Sequence, residues 1–151
     1  MEATQLQTGP SESSLPDEFF QVANDDLVDL WPVLHQILDP VFAYTHGKVA
    51  PGDVLDSAAR GESQVWVQYL DGLPAAVVVT AIDVYPTARR VLKVMLAAGR
   101  DARRWRPHIQ TALESFGRKN QCDSLEIIGR RGWGKLYPDY QEIETVFSKE
   151  L

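Results

Sequence analysis

Apolar residues at Leu27, Leu30, Trp31, Leu34, Ile37, Leu38, Val41 and Phe42 recur at close to 3.6 positions, a pattern that predicts an amphipathic helix. Asn24 suits its N-cap, and Asp25 and Asp26 suit the positive end of its dipole. Pro32 and Pro40 each remove a backbone donor, which predicts a kink or two short helices. A second short helix is expected over residues 53–60, after Pro51-Gly52 and before Gly61. The pattern then changes period. In QVWVQYL, residues 64–70, Val65, Val67 and Tyr69 alternate with Trp66, as in a strand with two unlike faces. Asp71-Gly72 predicts a two-residue hairpin turn. Residues 75–82, AAVVVTAI, form an unbroken apolar run, as in a central strand covered on both faces. A turn at residues 85–88 leads to a third strand at 90–98, which completes an antiparallel meander.

Ile109, Ala112, Leu113 and Phe116 form one stripe at helical spacing, and Pro107 suits a first helical turn, so a helix is expected over 107–119. A short strand at 125–128 follows. Strand, helix and strand form a β-α-β unit whose strands should be parallel with a right-handed crossover. The stretch LEIIGRRGWGKLYPDY, residues 125–140, then reads as strand, Gly-Arg-Arg-Gly turn, one or two helical turns and a Pro stop, with a last strand expected at 144–148. The fold class is α+β, built on a mixed sheet.

Composition adds a boundary. Residues 1–22 are mostly polar and acidic, with Pro10 and Pro16, and read as a flexible acidic arm before a single domain at 23–151. This start has neither the basic residues nor the apolar block of a secretory signal, and no apolar run approaches the ~20 residues of a membrane span. One cysteine, Cys122, excludes an internal disulfide. His35 and His46 stand apart from any cluster of ligands, so no metal site is expected.

Charge is unevenly placed on a chain of net −6. Residues 86–135 hold 12 of the 15 Lys and Arg against 4 acids, while the remainder holds 3 against 17. The split suggests either a basic face for an anionic partner or two halves that neutralise each other. Nucleic acid is disfavoured by the acidic pI and the lack of a recognition motif, although Trp105 and Trp133 lie near arginines.

The order of elements resembles the Gcn5-related N-acetyltransferase (GNAT) fold over residues 24–151. More narrowly, Trp105 at the helix start, Cys122 before the strand, Gly129-Arg130-Arg131-Gly132-Trp133, the Tyr soon after and the terminal Lys-Glu-Leu are similar to small bacteriophage proteins with GNAT-like folds. These include internal virion proteins of short-tailed phages.

The resemblance implies two alternative functions. In the family the diphosphate of acetyl-coenzyme A sits in a cradle of pattern Arg/Gln-x-x-Gly-x-Gly/Ala. Here that position carries Gly99, Arg100, Asp101, Ala102, Arg103 and Arg104, with one glycine missing and an acid inserted. The altered cradle favours a virion-associated assembly protein without cofactor, found in the virion or host cytoplasm. Its partners would be other virion or assembly proteins in multiple copies. Arg103, Arg104, Arg106, Arg130, Arg131 and Trp133 would form the contact face. The alternative is an acetyl-coenzyme A-dependent N-acetyltransferase, with Gly99, Arg100, Ala102, Arg103 and Arg104 holding the cofactor. Tyr137 or Tyr140 would then be the acid, and Glu126 or Asp83 the base. Tyr137 also suits a core ring, and Glu126 the outward member of a strand.

Overall fold

The computed structural model describes residues 17–129 and 131–151, with all their side chains except those of residues 131 and 133. Its elements run β1 (Glu18–Gln21), α1 (Asn24–Phe42), α2 (Pro51–Ala59), β2 (Gln64–Leu70), β3 (Leu73–Val84), β4 (Arg90–Gly99), α3 (Ala102–Lys119), β5 (Ser124–Ile127) and a 3₁₀ helix (Arg131–Lys135). The five strands lie in chain order across one sheet. Neighbours are antiparallel except β4 and β5, which are parallel as the β-α-β reading requires.

The sheet separates two cores. Val65, Val67, Val77, Val79 and Leu96 face Leu27, Leu34 and Leu38 of α1 and Val54 and Ala58 of α2. Trp66, Leu70, Ala76, Val78, Leu92 and Val94 face Trp105, Ile109 and Leu113 of α3. The alternation in β2 thus divides the strand between the cores as its period predicts. β3 serves both and is buried from Ala75 to Thr80. Asp71 and Gly72 turn between β2 and β3 with φ of 53° and 80°, the positive values a two-residue hairpin turn needs.

The structure corrects five expectations. Residues 18–21, placed in the arm, form the edge strand β1 beside β2. Phe19 stacks on Trp66 at 5.3 Å and Phe20 on Tyr69 at 5.7 Å, so two cross-strand aromatic contacts anchor a very short strand. Residues 1–16 of that arm lie outside the described residues. α1 is one helix across Pro32 and Pro40. Both prolines are exposed, as are Val28 and Gln36, so the carbonyls that lose a partner can turn to water. Its N-cap is Ala23 rather than Asn24.

α3 begins five residues before Pro107, because Ala102 and Trp105 extend its buried stripe backwards and Pro107 itself faces solvent. Finally, residues 141–151 form no strand. Ile143 (64% exposed), Val146 (73%) and Phe147 (92%) project into solvent. Among the described residues no helix is long and apolar enough to cross a membrane, and no three His, Cys, Asp or Glu could hold a metal.

Candidate functional site at the head of helix α3

β4 and β5 pair from Val91↔Ser124 to Val94↔Ile127, and the Ile128 N–H still donates to the Val94 carbonyl at 3.0 Å. There the two strands part. On the other side of β4 the register shifts, with Val79 opposite Leu96 but Thr80 opposite Val94, so Met95 is an extra residue. Such a bulge bends the strand that carries it. Residues 96–99 continue beside β3 alone. The resulting wedge opens toward α3 and is filled by Tyr137, whose ring is only 4% exposed. Between Tyr137, Ala97, Trp105, Ile109 and Ile127 about 10 Å³ remains free, room for about one water.

The link from β4 into α3 is tightly specified. A Cβ on Gly99 would lie 2.5 Å from the Ala75 carbonyl oxygen and from Ala76 Cβ, so the close approach of two strands demands glycine here. Trp105, 1% exposed, donates its Nε1–H to the Arg100 carbonyl at 2.6 Å and ties the strand end to the first helical turn. Asp101 is the N-cap in left-handed conformation (φ 58°), and its side chain makes no capping bond. The N–H groups of Ala102 and Arg103 find no acceptor among the described residues, as expected in a first helical turn.

The arginines divide by partner. Arg104 binds Asp71 through both carboxylate oxygens (2.8 and 3.0 Å) and Asp17 at 3.2 Å. The Asp71 bond holds the Arg104 pKa above its ordinary value, and the same bond lowers that of Asp71. Arg100 pairs with Asp101 at 3.2 Å. Arg103 has no carboxylate partner among the described residues. Beside it lies an open hollow of about 570 Å³, walled by Asp101, Ala102, Arg103, Arg104 and Leu136.

Of the expected cofactor residues, Ala102 and Arg103 therefore line open space. Gly99 has a packing role, and Arg100 and Arg104 are turned to carboxylates. Of the expected contact face, Arg104 is exposed while paired with Asp17 and Asp71. Arg130 and the side chains of Arg131 and Trp133 lie outside what is described. Arg106 stands close enough to lower the Tyr137 pKa slightly against the dominant effect of burial.

The structure brings the two tyrosines together but not the expected base. Tyr137 and Tyr140 have ring centroids 5.3 Å apart. Burial raises the Tyr137 pKa to about 12. Burial, then the 2.9 Å bond donated by Oη to Glu114 Oε2, raises that of Tyr140. Both are proton donors at neutral pH. Leu125 and Ile127 pack toward α3, so Glu126 between them projects from the opposite face of the sheet, away from Tyr137. Asp83 forms an ion pair with Lys93 at 2.8 Å, and Lys93 also lies over the Tyr85 ring.

Sequence reasoning missed Glu114, the carboxylate that accepts from Tyr140, because it reads as the polar side of an amphipathic helix. It also missed a buried polar group on β2 and β3. There Trp66 Nε1 donates to Thr80 Oγ1 at 2.9 Å and Thr80 Oγ1 donates to Gln64 Oε1 at 2.7 Å. Fully buried Gln68 leaves its Oε1 without a partner among the described residues. Nothing in the alternating apolar pattern marks these positions.

No family model and no curated protein sequence matches the chain. Solved structures do. An aminoglycoside acetyltransferase from an uncultured soil metagenomic sample, in complex with trehalose, is similar with a TM-score of 0.65 and 12% identity over 89% of this chain and 96% of that one. A predicted acetyltransferase with acetyl-CoA from Clostridium acetobutylicum gives 0.63 and 11%, over 90% and 96%. Glucosamine-6-phosphate N-acetyltransferase from Arabidopsis thaliana gives 0.62 and 10%, over 90% and 99%. These likenesses show the fold, which is that of the GNAT acetyltransferases.

Proposed function

We propose that this chain is an acetyl-coenzyme A-dependent N-acetyltransferase. The observation that carries the reading is the parting of β4 and β5 beneath the head of α3, with Tyr137 seated in the gap. The head of α3 fits a diphosphate. Among the described residues the N–H groups of Ala102 and Arg103 lack acceptors and the Arg103 guanidinium lacks a carboxylate, and the hollow beside them is open. When bound, the cofactor supplies an acetyl group activated as a thioester. The space beneath Tyr137 admits no acyl chain as it stands, so access requires that ring to move off Ala97. Tyr137, kept protonated by burial, can then donate a proton to a leaving thiolate. Glu126 lies on the wrong face of the sheet to act beside it.

The test is calorimetric titration with acetyl-coenzyme A at low salt. Arg103→Ala should weaken binding by roughly 10-fold or more, the usual effect of losing a charge-assisted hydrogen bond to phosphate. Arg104→Ala should do so much less.

The exposed Ile143, Val146 and Phe147 favour a second reading. Three large apolar side chains on a segment without strand or helix suit an assembly surface. In that reading the chain is a bacteriophage virion or assembly protein in multiple copies, located in the virion or host cytoplasm. Its detection in purified particles, together with no heat from acetyl-coenzyme A, would support it.

A further inference from the structure

Tyr137 sits in the wedge on a segment that side chains hold in place. Residues 136–140 belong to no helix or strand. Among the described residues, no backbone hydrogen bond ties them to a strand or to α3, and the Tyr140 N–H donates within the segment, to the Tyr137 carbonyl at 3.0 Å. The ties come from Gln110 and Glu114, one turn apart on the same face of α3. Gln110 Nε2 donates to Asp139 Oδ2 at 2.9 Å and to Glu114 Oε2 at 3.1 Å. Tyr140 Oη donates to the same Glu114 oxygen at 2.9 Å. The Tyr140 and Tyr137 ring centroids are 5.3 Å apart, so whatever holds Tyr140 acts on Tyr137 through a ring contact and a backbone bond. The same five residues stand between two spaces. Leu136 walls the open hollow beside Arg103, and Tyr137 fills the wedge between β4 and β5.

We propose that Gln110 and Glu114 are positioning residues that latch residues 136–140 onto α3 and so keep Tyr137 in the wedge. When their bonds release, the segment lifts and the hollow and the wedge become one cleft. That this cleft takes the acyl arm of acetyl-coenzyme A rests on the acetyltransferase reading, whereas the latch itself does not.

The test is nitration of the full chain by tetranitromethane without nucleotide, each tyrosine being followed by mass spectrometry. In the wild type, Tyr137 should react roughly 10-fold or more slowly than exposed Tyr44, because its ring must first leave the wedge. Tyr140→Phe keeps the ring and removes the donor, and Gln110→Ala with Glu114→Ala removes both partners on α3. Each should speed Tyr137 about fivefold or more, the effect of losing one hydrogen bond on the open population. Glu114→Gln keeps an acceptor for Tyr140 and should leave the wild-type rate. Tyr69 packs against the opposite core and should keep its rate throughout, which separates local release from general loosening. The latch is overturned by an unchanged Tyr137 rate in Tyr140→Phe and the alanine pair, by a Glu114→Gln rate equal to that of the alanine pair, or by a rise that Tyr69 shares. Where acetyl-coenzyme A binds, it should bind Tyr140→Phe about threefold tighter or more, since a larger fraction is already open, and equal affinity would overturn the link between latch and site. Failure of acetyl-coenzyme A to bind either protein would sink the acetyltransferase reading and leave the nitration result standing.

Discussion

Arg104 and Asp71 face each other through two hydrogen bonds, Nη2 to Oδ1 at 2.8 Å and Nη1 to Oδ2 at 3.0 Å. The pair ties the head of α3 to the β2–β3 turn and withdraws a guanidinium from the neighbouring hollow. Asp71→Asn keeps a residue that tolerates the left-handed turn conformation while removing the charge. It should leave the thermal midpoint little changed, since both groups are solvent-exposed. It should also tighten binding of inorganic pyrophosphate, measured by calorimetry, by freeing Arg104. Unchanged pyrophosphate affinity would show that Arg104 does not reach the hollow even when free. The wild-type pair should weaken in acid. The Asp71 pKa is lowered by its bond to Arg104, so the pairing is complete above the unfolded carboxyl pKa and is lost as pH falls through the folded one.

Tyr137 separates packing from chemistry. Tyr137→Ala empties a closely filled site and should cost about 3–5 kcal/mol in urea unfolding. Tyr137→Phe keeps the ring and should cost about 1 kcal/mol or less, while lowering acetyl transfer. Burial raises the folded pKa from 10.0 to about 12, so the unfolded chain ionises first. Its contribution to stability is full below pH 10 and is lost between pH 10 and 12, so the wild type should decline more steeply there than Tyr137→Phe, in which Tyr140 still titrates. Equal alkaline profiles in the two proteins would contradict the buried placement.

Thr80 is fully buried and links Trp66 to Gln64. Thr80→Val preserves shape but strands the indole N–H, which should cost about 1–3 kcal/mol of unfolding free energy. A neutral effect would mean that the Trp66 N–H finds another acceptor.

Residues 141–151 add no strand to the sheet. Ending the chain after Tyr140 should therefore shift the thermal midpoint by no more than a degree or two, consistent with ΔΔG below about 0.5 kcal/mol. If the segment serves assembly, truncation should abolish self-association in sedimentation while the fold survives. A large fall in the midpoint would show that the segment completes the fold.

The meander was legible because its signals are local. The alternation in residues 64–70, Asp71-Gly72 and the apolar run at 75–82 each specify their own element. β1 was not, because Phe19 and Phe20 sit among polar residues and gain their place only by stacking on Trp66 and Tyr69. The start of α3 was not legible, because Pro107 suits a first helical turn whereas the bond from Trp105 to the Arg100 carbonyl, which fixes the first turn, has no local signal in the sequence. At the site, Tyr137 and Tyr140 came as alternatives from the family resemblance rather than from spacing, and the strand alternation that sends Glu126 to the other face was available as well. The pairing of Arg104 was not. Asp71 and Asp17 lie 33 and 87 residues away in sequence, and only the folded sheet brings them together.

The most direct measurement is the acetyl-coenzyme A titration of the full chain at low salt, run beside Arg103→Ala. The account predicts saturable heat that is weakened roughly 10-fold or more by the substitution. No heat at high concentration, or heat unaffected by Arg103→Ala, would contradict it and leave the GNAT fold serving assembly alone.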